Sequence, residues 1–216
     1  MDSPQTVSAL PRRGKRIPMK DVSFFLALFL LICFSPAVAQ KRNADEISSG
    51  LVRAALERTA HQVRYDGSYH QLAYPGGDVP DTIGVCTDVV IRSFRKVGID
   101  LQKEVHEDML KHFSVYPRNW GLRHPDKNID HRRVPNLQVF FRRHGRELPV
   151  TKDGLDYQAG ELVTWMLPGN LPHIGIVTDR RSNDGQRPLI VHNIGRGPKL
   201  EDMLFHYPVT GHYRYP

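Results

Sequence analysis

The chain has 216 residues, 40% of them hydrophobic and 25% charged, with two cysteines and a formal net charge of +7 at pH 7. That length and apolar content suit one domain with its own core, and no internal repeat or low-complexity segment argues otherwise. A mild basic excess without a concentrated basic stripe speaks against a nucleic-acid binder, and two cysteines are too few for a disulfide scaffold.

The N-terminal segment reads as an export signal. Arg12, Arg13, Lys15, Arg16 and Lys20 form a basic region, Val22 to Phe34 is almost wholly apolar, and Ala37-Val38-Ala39 offers small residues for cleavage after Ala39. The apolar run is shorter than the roughly 20 residues a spanning helix needs. Met19, followed at once by Lys20, is an alternative start. The bulky Ile32 before Cys33 disfavours a lipoprotein attachment site. Residues 1–39 are therefore expected to be a signal peptide and residues 40–216 a single exported domain, periplasmic or secreted, of net charge +4. Such a charge is compatible with an anionic envelope ligand.

In chain order, Asn43 to His61 reads as an amphipathic helix, with Ile47, Leu51, Ala54 and Ala55 near one face. Tyr65 to Gly84, rich in Tyr, Gly, Pro and Asp, reads as a long ordered loop. Val85 to Val97 has Val89, Val90, Phe94 and Val97 at helical spacing and is stopped by Gly98. Leu101 to Phe113 is a further short helix, Tyr116 to Asn136 a second polar loop, and Asn136 to His144 a helix ended by Gly145. The last third changes character. Glu161 to Trp165, His173 to Val177 and Pro188 to Asn193 read as strands rich in branched residues, with Gly211 to Tyr215 closing the sheet. Helices first and antiparallel strands after indicate an α+β domain, with the N-terminal helices packed on a C-terminal sheet.

Once the signal is removed Cys86 is the remaining thiol, and it cannot form an internal disulfide. The residue lies where a loop enters a helix, so the unpaired N–H groups of the first turn are expected to lower its pKa and favour a nucleophilic thiolate. The rival reading is a buried, inert cysteine. A nucleophilic thiol needs a base, and the base an orienting partner. Of the 11 histidines, His173 starts one expected strand and His192 ends the next. Antiparallel pairing brings them to the same end of the sheet, where the Cys86 helix can pack.

These residues resemble a known family. The helix-starting Cys86, then Gly160-Glu161-Leu162-Val163-Thr164-Trp165, His173-Ile174-Gly175-Ile176-Val177 and a strand ending in His192 are similar to the NlpC/P60 cysteine peptidases of the papain-like clan, as is Tyr74-Pro75-Gly76-Gly77 upstream. Across residues 45 to 216 the chain resembles the bacterial family DUF1287, through Gly84-Val85-Cys86-Thr87-Asp88, the run Asn128 to Asn136, and Val191-His192-Asn193-Ile194-Gly195. The resemblance implies a papain-like fold, Cys86 as nucleophile, His173 as base, and His192 or Asn193 as third member. It further implies hydrolysis of an amide bond, with peptidoglycan peptide as the envelope substrate and no cofactor. Val85 before the cysteine and Thr87-Asp88 after it depart from the peptidase pattern.

Tyr74, Asp88, Asp130, His131, Arg132 and Arg133 are the candidate substrate-binding residues, the two arginines because a guanidinium grips a carboxylate with two parallel hydrogen bonds. For Asp88, capping the helix is the favoured alternative to binding a cationic part of the substrate. Two alternatives stand beside the hydrolase: a non-catalytic binding module of the same fold, and a metal site built from Cys86, His173 and His192.

Overall fold

The computed structural model describes residues 36–216, with side chains from residue 43 onward. The expected export segment lies outside the described residues except for residues 36–39, which open the first helix. Among the described residues no helix is long and apolar enough to cross a membrane.

Four helices precede the main sheet: α1 (Pro36–Arg58), α2 (Cys86–Lys96), α3 (Leu101–His112) and α4 (Val134–His144). The starts of α3 and α4 have local causes. The Asp100 carboxylate accepts the Gln102 N–H at 3.1 Å and caps α3. Pro135 sits in the first turn of α4, where its missing N–H costs nothing. Between the helices lie the two-residue strands β1 (Arg64–Tyr65) and β2 (Ile83–Gly84), which pair in parallel.

The six-stranded sheet is antiparallel. It contains β3 (Arg146–Glu147), β4 (Leu162–Leu167), β5 (Leu171–Arg181), β6 (Pro188–His192), β7 (Lys199–Glu201) and β8 (Val209–Arg214), in the order β3-β8-β4-β5-β6-β7. The α+β organisation expected from the helix-then-strand pattern is the one formed. The loop expected from Tyr65 to Gly84 is bounded by the β1–β2 pair, and that expected from Tyr116 to Asn136 contains two 3-10 turns, Asn119–Gly121 and Asp130–Arg132.

Strand alternation divides the core. Ile174, Ile176, Leu162, Val191 and Tyr213 face the helices and pack with Val89, Val90, Phe94, Leu137 and Phe141. Val163, Trp165, Val177 and Ile190 face the other way, under Tyr157, Met203 and Leu204. Full burial of a side chain such as Phe94 contributes about 1.5–3 kcal/mol, so both faces hold the sheet in place. His173 is cross-strand from Trp165, the rings 5.9 Å apart, and so leaves the sheet on the face away from α2.

Candidate functional site

Cys86 is the first residue of α2. Its thiol is 4% exposed and packs among the apolar side chains beneath the helices. The backbone N–H groups of Ile174, Thr87 and Cys86 itself lie near enough to the sulfur to favour its thiolate. Burial nevertheless dominates and pushes the thiol up to about 11, with the Ile174 N–H opposing and the Asp88 charge adding to the rise. The low pKa expected from the helix start is therefore overturned for the resting protein, because desolvation outweighs the dipole of one helix end.

The availability of the Ile174 N–H follows from the sheet register. Val177 donates to Glu161 O on the β4 side at 2.8 Å, so by alternation the N–H groups of Ile176 and Ile174 point toward β6. Ile176 pairs with Val191, which would put Asn193 opposite Ile174. But β6 ends at His192, and Asn193 turns its Nδ2 to Gly84 O at 3.4 Å. The sulfur thus faces a ladder position that the next strand has vacated.

On the opposite face, His173 Nε2 lies 3.2 Å from His192 Nδ1, with the two rings nearly perpendicular. Gly175 permits this approach, since a Cβ there would stand 3.2 Å from His192 Cβ and closer still to Ile190. Burial lowers both imidazoles, and His173 falls to about 3 with His192 as the second cause. His192 Nε2 is 2.9 Å from Glu201 Oε2, within ion-pair distance though bent away from the N–H direction. No hydrogen bond joins the sulfur to either imidazole among the described residues, where the His173 ring makes its contact through Nε2 to His192.

The remaining expected site residues are distributed differently. Asp88 and Arg132 form a two-pronged pair, Nε–Oδ1 and Nη2–Oδ2 both 2.9 Å, with side chains only 3% and 2% exposed. Asp88 Oδ2 also accepts the Val85 N–H at 2.6 Å, securing the first turn of α2. Arg132 donates further to Ser68 O and Asp66 O. Its guanidinium therefore braces loop to helix, and the expected grip of Arg132 on a substrate carboxylate finds no free fork.

Asp130 is fully buried, and its carboxyl is pushed up to about 6 by that burial. His131 is buried as well and falls to about 3, chiefly for the same reason and secondly because of Arg132. Arg133 stacks over the exposed Trp120 ring at 4.4 Å. Tyr74 is edge-on to His106 with centroids 5.2 Å apart, and Gly76 and Gly77 donate to Asp100 and Gln102. That segment is fastened to the start of α3 rather than to Cys86.

Two residues at the site escaped the sequence reading. Tyr65, cross-strand from Gly84, has its phenol pushed up to about 12 by burial and then by the charges of Cys86 and Asp88. Glu201 reaches His192 from β7, a three-residue strand. A two-residue strand and a three-residue strand carry no periodicity to find them by. His106 and His112 lie on α3, and no group of three or more His, Cys, Asp and Glu among the described residues is arranged to hold a metal ion.

A family model described as a domain of unknown function, DUF1287, matches residues 52–215. Among curated proteins, the Uncharacterized protein YijF of Escherichia coli (strain K12) is similar, being 50% identical over 183 residues that cover 84% of this chain and 89% of the relative. No solved structure matches the chain.

Proposed function

The chain belongs to the DUF1287 family, whose members lend it no activity, so its chemistry is read from the site, and we propose an exported cysteine hydrolase of papain-like, NlpC/P60-like architecture acting on an amide bond of an envelope peptide. The observation that carries the reading is the His173–His192 contact at 3.2 Å, one residue along β5 from the N–H that meets the Cys86 sulfur. Peptidoglycan peptide is the substrate class that an envelope location suggests, by analogy of place.

The chain of acceptors gives each imidazole a role. Glu201 favours the His192 tautomer protonated on Nε2, which leaves His192 Nδ1 to accept the Nε2–H of His173. His173 Nδ1 then keeps its lone pair for the thiol proton. With the thiol near 11 and the imidazole near 3, the resting pair is neutral at pH 7. Thiolate forms only as the sulfur attacks: Sγ bonds to the amide carbon, the thiol proton passes to His173 Nδ1, and oxygen takes the negative charge. The Cys86 N–H and the Tyr65 hydroxyl are the donors at hand for that oxyanion. The C–N bond then breaks, and His173 returns the proton to the leaving amine, giving a thioester. Water attacks the thioester with His173 as base, releasing the acid and restoring the thiol. The sulfur and the His173 imidazole make no hydrogen bond in the resting protein, so this reading requires their contact to form when substrate binds.

The thiol's burial favours a second reading, a non-catalytic envelope binding module of the same fold. Incubation of the purified protein with soluble peptidoglycan fragments, followed by mass spectrometry, separates the two. The hydrolase should generate paired amine and carboxylate fragments that disappear with Cys86→Ala and with His173→Ala. Fragments retained intact by wild type, and bound equally by Cys86→Ala, would support the module instead.

A further inference from the structure

Beyond the dyad, the end of the sheet holds cations with no carboxylate to answer them. A 230 Å³ cavity on the His192 side is lined by His192, Arg196, Lys199, Glu201 and Tyr207 among others. A larger groove of 770 Å³ runs on from it past Arg64, Thr82 and the end of α1, sharing Arg196 and Lys199 as its wall. Glu201 is the sole acidic residue lining either space, and it is engaged at 2.9 Å with His192. Arg64 is paired with Asp66 at 2.9 Å. Arg196 and Lys199 have no carboxylate within ion-pair distance among the described residues.

The backbone that carries the two exposed cations is fixed. Lys199 is the cross-strand partner of His192, so its side chain leaves the β6–β7 ladder on the same face as the imidazole. Arg196 rides on a loop fixed at both ends: Asn193 Oδ1 accepts the Gly195 N–H at 3.1 Å, and Gly197, at φ 81°, lies so close to the residue before β1 that a Cβ would meet Val63 O at 3.3 Å. Like charges in a concave wall without counter-charge raise the local potential and draw in anions. A planar guanidinium beside an ammonium suits a carboxylate in particular.

We propose that Arg196 and Lys199 form the subsite for a free carboxylate of the peptide substrate, seating it beside His192. The assignment rests on the amide-hydrolase reading and moves the anion-binding role from the Asp130–Arg133 run to the loop after β6. It makes the preferred substrate a peptide with a carboxylate near the scissile amide.

The test measures binding without turnover. Cys86→Ala protein is titrated by NMR with N-acetyl-γ-glutamylalanine, which has two free carboxylates, with its diamide, and with inorganic phosphate. The dicarboxylate should bind saturably, the diamide and phosphate at least tenfold more weakly, and Arg196→Gln/Lys199→Gln should reduce dicarboxylate affinity at least tenfold while the amide spectrum stays dispersed. Equal affinity for acid and diamide, an unaffected double variant, absence of saturation, or phosphate binding as tightly as the peptide would each overturn the assignment. Because Cys86 is absent throughout, a failed subsite and a failed hydrolase give different results: the subsite can bind in a protein that never cleaves.

Discussion

Two charged regions of the molecule, one at the first turn of α2 and one beyond the end of β6, are in opposite states. Around the first turn of α2, Asp88 and Arg132 are desolvated and occupied by each other and by backbone groups. Beyond the end of β6, Arg196 and Lys199 face open cavities with one carboxylate among them, already turned to His192. A pair closed on itself holds the site's walls together, whereas cations without partners are free for a ligand. Residue type does not separate the two; saturation does.

Breaking the closed region should have the largest effect. Arg132→Ala leaves the Asp88 carboxylate buried and alone, and removal of one partner of a buried pair costs about 3–5 kcal/mol. Urea denaturation would read this as a midpoint shift, and a loss under about 1 kcal/mol would mean that the pair is solvated in solution.

Asp130 comes next. An acid raised to about 6 in the folded state, against 3.8 for the free side chain, binds its proton more tightly when folded, so stability falls as pH rises from about 4 to 6. Asp130→Asn should therefore stabilise the protein at pH 7, by up to about 3 kcal/mol, and have no effect near pH 3. The buried His131 and His173, both lowered to about 3, act with the opposite sign: their contribution is full above about 6.5 and is lost as pH falls toward 3. Denaturation midpoints across pH 3 to 8 for wild type and Asp130→Asn would separate the two slopes.

Smaller effects belong to the open region. Glu201 is 49% exposed, so Glu201→Leu should change stability by less than about 1 kcal/mol. Its signature is instead the loss of the Nε2–H tautomer of His192 in imidazole nitrogen spectra, retained in part by Glu201→Gln. Unaltered tautomers in Glu201→Leu would remove Glu201 from the relay. Smallest of all, Arg196→Gln/Lys199→Gln should leave the denaturation midpoint within about 0.5 kcal/mol of wild type.

The same contrast explains what the sequence made legible. Helical spacing of Val89, Val90 and Phe94, and branched runs such as His173 to Val177, reflect burial on one face or two, and burial writes a period into the chain. The α+β organisation and the meeting of His173 with His192 could be read from it. Pairings between distant loops write none. Nothing local marks Arg132 as the partner of Asp88, 44 residues away, or Glu201 as that of His192. Nor does a helix start disclose how dry it is, and that dryness is what reverses the expected shift of Cys86.

The vacated ladder position opposite Ile174 has a practical consequence. The amide proton of that residue points at the sulfur instead of at a carbonyl, so it is a reporter built into the sheet. Its chemical shift and its exchange with solvent should follow the chemical history of the thiol, through ionisation, alkylation or acylation, while its neighbours in the β5 ladder stay still. One nucleus is thus available at which a visiting acyl group would announce itself.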